Sequence, residues 1–407
     1  MMKKLKSILL LALTGTLLAC QSTSSTNGDQ LLLTADFVDQ QLKNAVEQYQ
    51  VMAKRLPPQS LPKTYYEEQD SLETSSTRWW TSGFYPGTLL YLYEYSGDST
   101  LAVEAKQKLQ LLEKEKNNKG THDLGFMLYC SFGNANRLMP DLHYRSVMLQ
   151  GAESLISRYK DAVGAIKSWD HHTDQWQFPV IIDNMMNLEF LNWASRESGD
   201  SKFANIAKIH ANSTLKNHFR NDYSSYHVID YDTITGAVRH RHTAQGAQHE
   251  SAWARGQAWG LYGYVMMYRD TQDSIYLNQA VHIANYILNH PNLPKDGVPY
   301  WDFDAENIPD AKRDASAAAI IASALLELQT YVDGEQQNQY LRAAENMLTN
   351  LSSDVYKAKK GSNGGFILTH SVGHLLANSE VDVPLTYADY YYVEALMRYR
   401  NLLGDKR

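Results

Sequence analysis

Apolar residues recur at three- and four-residue spacing along almost the whole chain, the period of a helix that buries one face. This recurrence predicts helices over about 32–54, 83–96, 98–115, 123–136, 141–159, 181–198, 201–219, 251–269, 273–290, 312–331, 336–352 and 384–402. The connections alternate in kind. Short polar turns join some pairs: Ser96-Gly97-Asp98, Ser198-Gly199-Asp200, Asp270-Thr271-Gln272-Asp273 and Asp333-Gly334-Glu335. In such turns Gly suits the end of one helix, and Asp or Ser caps the start of the next. Between them lie longer loops rich in aromatics, Gly and Pro, at 60–82, 165–180, 220–250, 291–311 and 353–383. Short β-like pieces, 226–229 and 365–368, read as hairpins within those loops. Helical hairpins with short turns at one end and long loops at the other predict a closed ring of six pairs, an all-α (α/α)6 barrel. The long loops then share one face, and the helices that follow them point their N-termini at its centre.

The first residues break the period. Lys3, Lys4 and Lys6 precede an apolar run from Ile8 to Ala19 that is too short to span a bilayer. Leu17-Leu18-Ala19-Cys20 follows, then Gln21 and a Ser/Thr/Asn stretch to Gly28. This predicts a lipoprotein signal over 1–20 with Cys20 as the lipidated residue, a polar tether over 21–30, and the barrel over 31–407. The polar residue after Cys20 is not Asp, which places the expected anchor in the outer membrane of a Gram-negative cell, facing the periplasm or the cell surface. No other segment reaches transmembrane length, so a lipid tail is the expected attachment.

Length changes one inference: 407 residues would ordinarily suggest roughly two or three domains, but the hairpins leave no linker and reduce these to one ring. A net charge of -7 excludes nucleic acid as the main partner. Two cysteines, Cys20 and Cys130, exclude a disulfide framework, and Cys130 is left as an unpaired, buried small hydrophobe. With 8 Trp and 27 Tyr against 10 Phe, the rings carry polar tips suited to flat polyhydroxylated ligands.

Candidate chemistry gathers at predicted helix starts. Asp123 opens the helix after Thr121-His122, and Asp183 follows Ile181-Ile182 and precedes Asn184-Met185-Met186. Each could be a simple N-cap. Asp183 fits that account less well, because its apolar neighbours would raise the pKa of its carboxyl, as a general acid at neutral pH requires. His227, Arg241, Thr243, Gln245, Arg255, Gln257 and Trp259 lie on the next long loop and helix. An Arg there could take a carboxylate bidentately, and Trp259 could stack on a sugar ring. His240, His242 and His249 lack the helical His pair with a carboxylate that marks a metal site, so no metal is expected. Trp79 and Trp80 suit either ligand stacking or packing of their loop. No phosphate loop, dinucleotide fingerprint or nucleophile elbow is present, and no cofactor is expected. These residues describe a pocket with two aspartates, aromatics, His and Arg, without choosing a reaction.

Several segments in order resemble glycoside hydrolase family 88, the unsaturated glucuronyl hydrolases, across most of the chain. They are Arg78-Trp79-Trp80-Thr81-Ser82-Gly83-Phe84-Tyr85-Pro86-Gly87, His122-Asp123-Leu124-Gly125-Phe126, and Ile182-Asp183-Asn184-Met185-Met186-Asn187. Ser251-Ala252-Trp253-Ala254-Arg255-Gly256-Gln257-Ala258-Trp259-Gly260, Arg313-Asp314-Ala315-Ser316-Ala317, and 382–391 complete the set. The resemblance implies a six-hairpin barrel that removes a non-reducing-end uronic acid bearing a C4=C5 double bond from lyase-made oligosaccharides. Asp183 would protonate C4 of this enol ether, water would add at C5, and the hemiketal would collapse to release the partner sugar. Asp123 would be the second carboxylate. His227, Gln245, Arg255 and Trp259 match substrate-contacting positions, Arg241 and Thr243 lie in the same loop, and Trp79 or Trp80 would form a stacking wall. Ser371 and His374 fall where relatives contact the next sugar or its sulfate, although His374-Leu375-Leu376 supplies no Lys or Arg. The expected partners are unsaturated uronyl oligosaccharides, with no nucleic acid, and the expected state is a monomer or weak dimer. The alternatives are an unsaturated rhamnogalacturonyl hydrolase on the same barrel and a sugar-binding lipoprotein without catalysis.

Overall fold

The computed structural model describes residues 31–405. The signal expected over 1–20 with Cys20 and the tether expected over 21–30 therefore lie outside the described residues. Among the described residues, twelve α-helices alternate between an outer and an inner ring. The outer helices are α1 (Ala35–Arg55), α3 (Ser99–Leu112), α5 (Leu142–Ile156), α7 (Lys202–Asn217), α9 (Ser274–Asn289) and α11 (Gly334–Leu351). The inner ones are α2 (Phe84–Ser96), α4 (Asn134–Leu138), α6 (Leu188–Ser198), α8 (Ala254–Thr271), α10 (Ala315–Leu328) and α12 (Thr386–Asp405). The inner ring closes on itself: α2 packs on the segment leading to α4, that segment on α6, α6 on α8, α8 on α10, α10 on α12, and α12 back on α2. Sequence explains the division. The inner α10 is buried at nearly every position, with Ala and Ser allowing close approach, whereas the outer α1 alternates buried Val38, Leu42, Ala45 and Tyr49 with exposed polar residues.

The turns behave as their residues dictate. Gly97 and Gly199 end α2 and α6 in the left-handed conformation, at φ 70° and 74°. Asp98 and Asp273 then cap α3 and α9 by accepting the N–H of Thr100 and Ile275. The long loops precede inner helices, and all but the one before α10, which has only isolated bridges, carry short strands. These are β1 (Leu61–Tyr66) with β2 (Ser71–Ser75), β3 (Tyr159–Lys160) with β4 (Ala165–Ile166), the three-stranded sheet of β5 (Pro179–Ile181), β6 (Val228–Tyr231) and β7 (Val238–His242), and β8 (Ser371–His374) with β9 (Ser379–Val383). All pairings are antiparallel.

Three local expectations change. The helix expected over 123–136 begins as a π-helix over Gly125–Gly133, and the one expected from 181 begins with a 3₁₀ segment, Ile182–Asn187. The 365–368 piece is not a hairpin strand, because the N–H groups of Ile367 and Leu368 donate to the Asp389 carboxylate at 2.9 Å each. The strand forms at β8 instead. Cys130 is free but only half-buried, its thiol pKa pushed up by burial.

Candidate active site

The inner-helix N-termini converge under the long loops, and the two aspartates meet there. Neither is an N-cap: the π-helix after Asp123 begins without a side-chain cap, and Asp183 lies within the first turn of its 3₁₀ segment. Asparagines tie the two turns together. Asn187 Oδ1 accepts Gly125 N–H at 2.8 Å, Asn187 Nδ2 donates to Asn184 Oδ1 at 2.9 Å, and Asn184 Nδ2 donates to Ile166 O at 2.7 Å. A Cβ on Gly125 would lie 2.6 Å from Asn187 Oδ1, so glycine is required for this approach.

Asp183 is 7% exposed, and its Oδ2 has no hydrogen-bond partner. Burial pushes its pKa up to about 7. The Arg255 charge, its own backbone N–H and the Trp259 indole oppose that rise, while the Asp123 charge adds to it. Asp123 is more accessible. It accepts the Thr121 hydroxyl and faces His122 Nε2 at 3.2 Å. His122 is buried, which lowers its pKa and keeps it neutral. The pair thus comprises a buried carboxyl titrating near neutrality and an accessible one anchored by a hydroxyl and an imidazole. The first can give and retake a proton, and the second can hold a hydroxyl or stabilise positive charge.

The 243–247 loop closes one side. The N–H groups of Ala244 and Gln245 both donate to His227 Nδ1 at 3.1 Å, so the ring proton sits on Nε2, 3.8 Å from Asp183 Oδ2. Burial, with the Arg255 charge, holds the His227 pKa well below its ordinary value. Thr243 Oγ1 accepts Gly246 N–H, and Gln245 Nε2 donates to Gly373 O at 3.0 Å, linking the loop to β8. Ser371 is fully buried with a hydroxyl lacking any partner, and His374 is half-exposed at the end of β8.

Four residues sit otherwise than expected. Arg255 is buried, and its terminal nitrogens are taken by Val372 O at 2.5 Å, Gly373 O at 2.7 Å and Asp314 at 3.0 Å. Its fork clasps β8 to the barrel and is not open to a carboxylate; only Nε is left without a partner. Trp259 is 0% exposed and wedged between Phe126 and Tyr391, with centroids at 5.0 and 5.4 Å, so neither face can stack on a sugar. Its indole N–H, left without a hydrogen-bond partner, is near enough to Asp183 to oppose the rise in that carboxyl's pKa. Trp80 packs on Tyr387, Phe126 and Phe84, leaving Trp79, 40% exposed under the Lys63 ammonium, as the open ring. Arg241 is exposed, lies 5.7 Å over the Tyr226 ring and makes no ion pair among the described residues. His240, His242 and His249 pack ring against ring beside Trp176, and no metal-holding group occurs among the described residues.

Two pocket residues escaped sequence reasoning. Tyr387 places a buried, unpartnered hydroxyl here, its ring under the Arg255 guanidinium at 5.3 Å. Glu380 on β9 is a buried carboxyl with one unpartnered oxygen, its pKa raised by burial. Tyr387 stands in a segment already singled out by resemblance, whereas no signal in the sequence marks Glu380. With Asp183, His122, His227, Arg255, Trp259 and Ser371, they form a cluster of buried polar atoms that lack protein partners. Such atoms are rare in folded interiors and fit a site completed by a polar ligand.

A helical barrel with a proton-exchanging carboxyl and a second acid beneath aromatic loops defines a carbohydrate-active hydrolase of the α/α-barrel class. No protein-family model matches the chain. Among characterised proteins it is similar to an unsaturated glucuronyl hydrolase from Formosa agariphila, 52% identical over 325 residues that make up 80% of each chain. It also resembles an unsaturated chondroitin disaccharide hydrolase from Streptococcus pneumoniae, 32% identical over 90% of this chain and 93% of that one. Among solved structures, an unsaturated glucuronyl hydrolase specific for heparin superposes with a TM-score of 0.88 at 52% identity, covering 91% of this chain and 99% of that one. The chain belongs to the unsaturated glucuronyl hydrolase family, and is a glycosidase.

Proposed function

We propose that this protein removes the non-reducing-end 4,5-unsaturated uronic acid from oligosaccharides left by polysaccharide lyases, with Asp183 as the acid and base. The observation that carries this reading is a buried carboxyl with a pKa near 7 whose free oxygen faces a cluster of unpartnered polar atoms. Protonated Asp183 gives its proton to C4 of the enol ether, and positive charge develops at C5. The resulting carboxylate takes a proton from the water that adds to C5, and the hemiketal collapses, freeing the partner sugar. Asp123 holds ring hydroxyls and stabilises the developing charge. The neutral His227, with its proton on Nε2, donates toward Asp183 and substrate. Gln245, Thr243 and His374 line the side on which the next sugar would lie, with the buried Ser371 hydroxyl behind them, Trp79 offers an aromatic rim, and Arg241 an exposed cation. The carboxylate-binding and stacking roles expected of Arg255 and Trp259 are replaced by positioning of β8 and of Asp183.

The names of the relatives, which include hydrolases of heparin and chondroitin fragments, support a glycosaminoglycan-type substrate. They favour this reading over a rhamnogalacturonyl hydrolase or a non-catalytic binding protein. The test is loss of the ultraviolet absorbance of the conjugated uronate across lyase-made disaccharides from chondroitin, hyaluronan, heparin, ulvan and gellan. Absence of turnover on the whole panel would overturn the proposal. The segment through Cys20 supports anchoring of the protein by a lipid at the periplasmic or outer surface of a Gram-negative cell. Accordingly Cys20→Ser should move it from the membrane to the soluble fraction.

A further inference from the structure

We infer that Asp302 is a positioning residue for His227, acting through the 243–251 loop to keep the ring proton on Nε2. The chain of contacts is continuous. Asp302 is fully buried, and its Oδ2 accepts Ala247 N–H at 2.8 Å and the Ser251 hydroxyl at 2.7 Å, while Oδ1 accepts Asp304 N–H at 2.9 Å. Ser251 Oγ in turn accepts Gln248 N–H at 3.0 Å. The loop is drawn so close to this carboxylate that a Cβ on Gly246 would lie 3.1 Å from Asp302 Oδ2 and 2.7 Å from Thr243 Oγ1. With Gly246 and Ala247 held, the turn from Thr243 aims two successive backbone N–H groups, of Ala244 and Gln245, at His227 Nδ1. Two donors on one nitrogen exclude a proton there, so the ring is a donor on its Asp183 side.

The consequence is chemical. With the other tautomer, Nε2 would carry a lone pair facing Asp183, would accept that residue's proton in a hydrogen bond, and would compete with the substrate for it. A buried carboxylate placed one loop away prevents this without touching either ring or substrate. Nothing else in the described structure uses the two free N–H groups of Ala244 and Gln245, and a loop needed only for packing would not have to converge them on one imidazole nitrogen.

The inference rests on the proposed role of Asp183, but its test does not. Full-length protein labelled with ¹⁵N-histidine reports the protonation of each ring nitrogen, and His227→Gln assigns the resonance. Wild type, and Asp183→Asn equally, should show His227 as the Nε2–H form. Asp302→Asn turns one acceptor into a donor facing Ala247 N–H and Ser251 Oγ, and should yield a mixture of tautomers with kcat lowered on the order of tenfold at nearly constant KM. Ser251→Ala should show the same change more weakly, and Ser251→Thr should restore the wild-type spectrum. Should Asp302→Asn not fold, the Ser251 pair carries the test. A pure Nε2–H form in Asp302→Asn and Ser251→Ala, whatever their stability, overturns the inference and leaves Asp302 a packing residue. Failure of the Asp183 assignment would instead appear as an active Asp183→Asn with the tautomer unchanged.

Discussion

At the long-loop end of the inner helices, Asp183, His227, Arg255, Ser371, Glu380 and Tyr387 each keep a buried polar atom without a partner. From Gly125, Phe126 and Met186 toward the short-turn end the inner helices enclose a cavity of about 480 Å³, lined further along by Tyr91, Tyr129, Glu189, Trp193, Glu394 and Arg398. Its aromatic and charged composition is much the same. Its bonding is the reverse. Glu394 accepts the hydroxyls of Tyr91, Tyr262 and Ser323, Arg398 bonds Glu327 at 2.6 Å, Arg137 holds Glu94 with two contacts at 2.8 and 2.7 Å, and Arg269 holds Glu189 at 2.5 Å. No residue lining it leaves a buried polar atom unpaired. Residue type alone therefore does not distinguish a reactive pocket from a structural one. What distinguishes them is whether the polar groups satisfy one another or wait for a ligand.

The comparison can be broken at either end. The largest effect belongs to the loop end: Asp183→Asn should lower kcat by at least about 10²–10⁴-fold while leaving disaccharide binding nearly intact, measured by steady-state assay and calorimetry. Wild-type turnover in that variant would remove the acid from the mechanism. At the turn end, Glu394→Ala strands the hydroxyls of Tyr91, Tyr262 and Ser323 while Arg398 keeps Glu327, and should lower unfolding free energy by about 2–4 kcal/mol with kcat per folded molecule unchanged. Denaturant melts and activity normalised to folded protein separate the two. A fall in normalised kcat would show that the far cavity takes part in catalysis.

Smaller effects sharpen the same contrast through pH. The proposed step needs Asp183 protonated, so kcat/KM should decline as pH rises through about 7, the value to which burial moves this carboxyl. Stability follows the same group. Between the ordinary 3.8 and about 7 the folded state holds a proton that the unfolded chain has lost, so this contribution to stability diminishes with rising pH. Asp183→Asn is free of that loss, and its Tm relative to wild type should climb across this window and level off above it. A flat difference would mean that the carboxyl is not held protonated by burial. The smallest effect is expected at the rim: Trp79→Ala should raise KM only a few-fold, from about 0.5–1.5 kcal/mol of ring contact, with kcat unchanged.

The helical period, the Gly-Asp turns and the order of long and short connections are local properties, and from them the sequence by itself determined the closed ring of six hairpins and which ends of the inner helices the long loops cover. It also singled out Asp183, because the residues that flank it, Ile181, Ile182, Met185 and Met186, are apolar and buried, and burial is what raises its pKa. Only the tertiary structure decided how the polar groups are shared. Arg255 and Trp259 carry the right chemistry for a sugar, but partners more than a hundred residues away, β8 for the one and Tyr391 for the other, occupy the fork and cover the ring. The proton on His227 depends on two backbone amides of another loop, and Glu380 enters the site only through the pairing of β9 with β8. Hydrophobic periodicity is written residue by residue, whereas the satisfaction of a buried donor or acceptor depends on which distant atom the closed ring brings within hydrogen-bond reach.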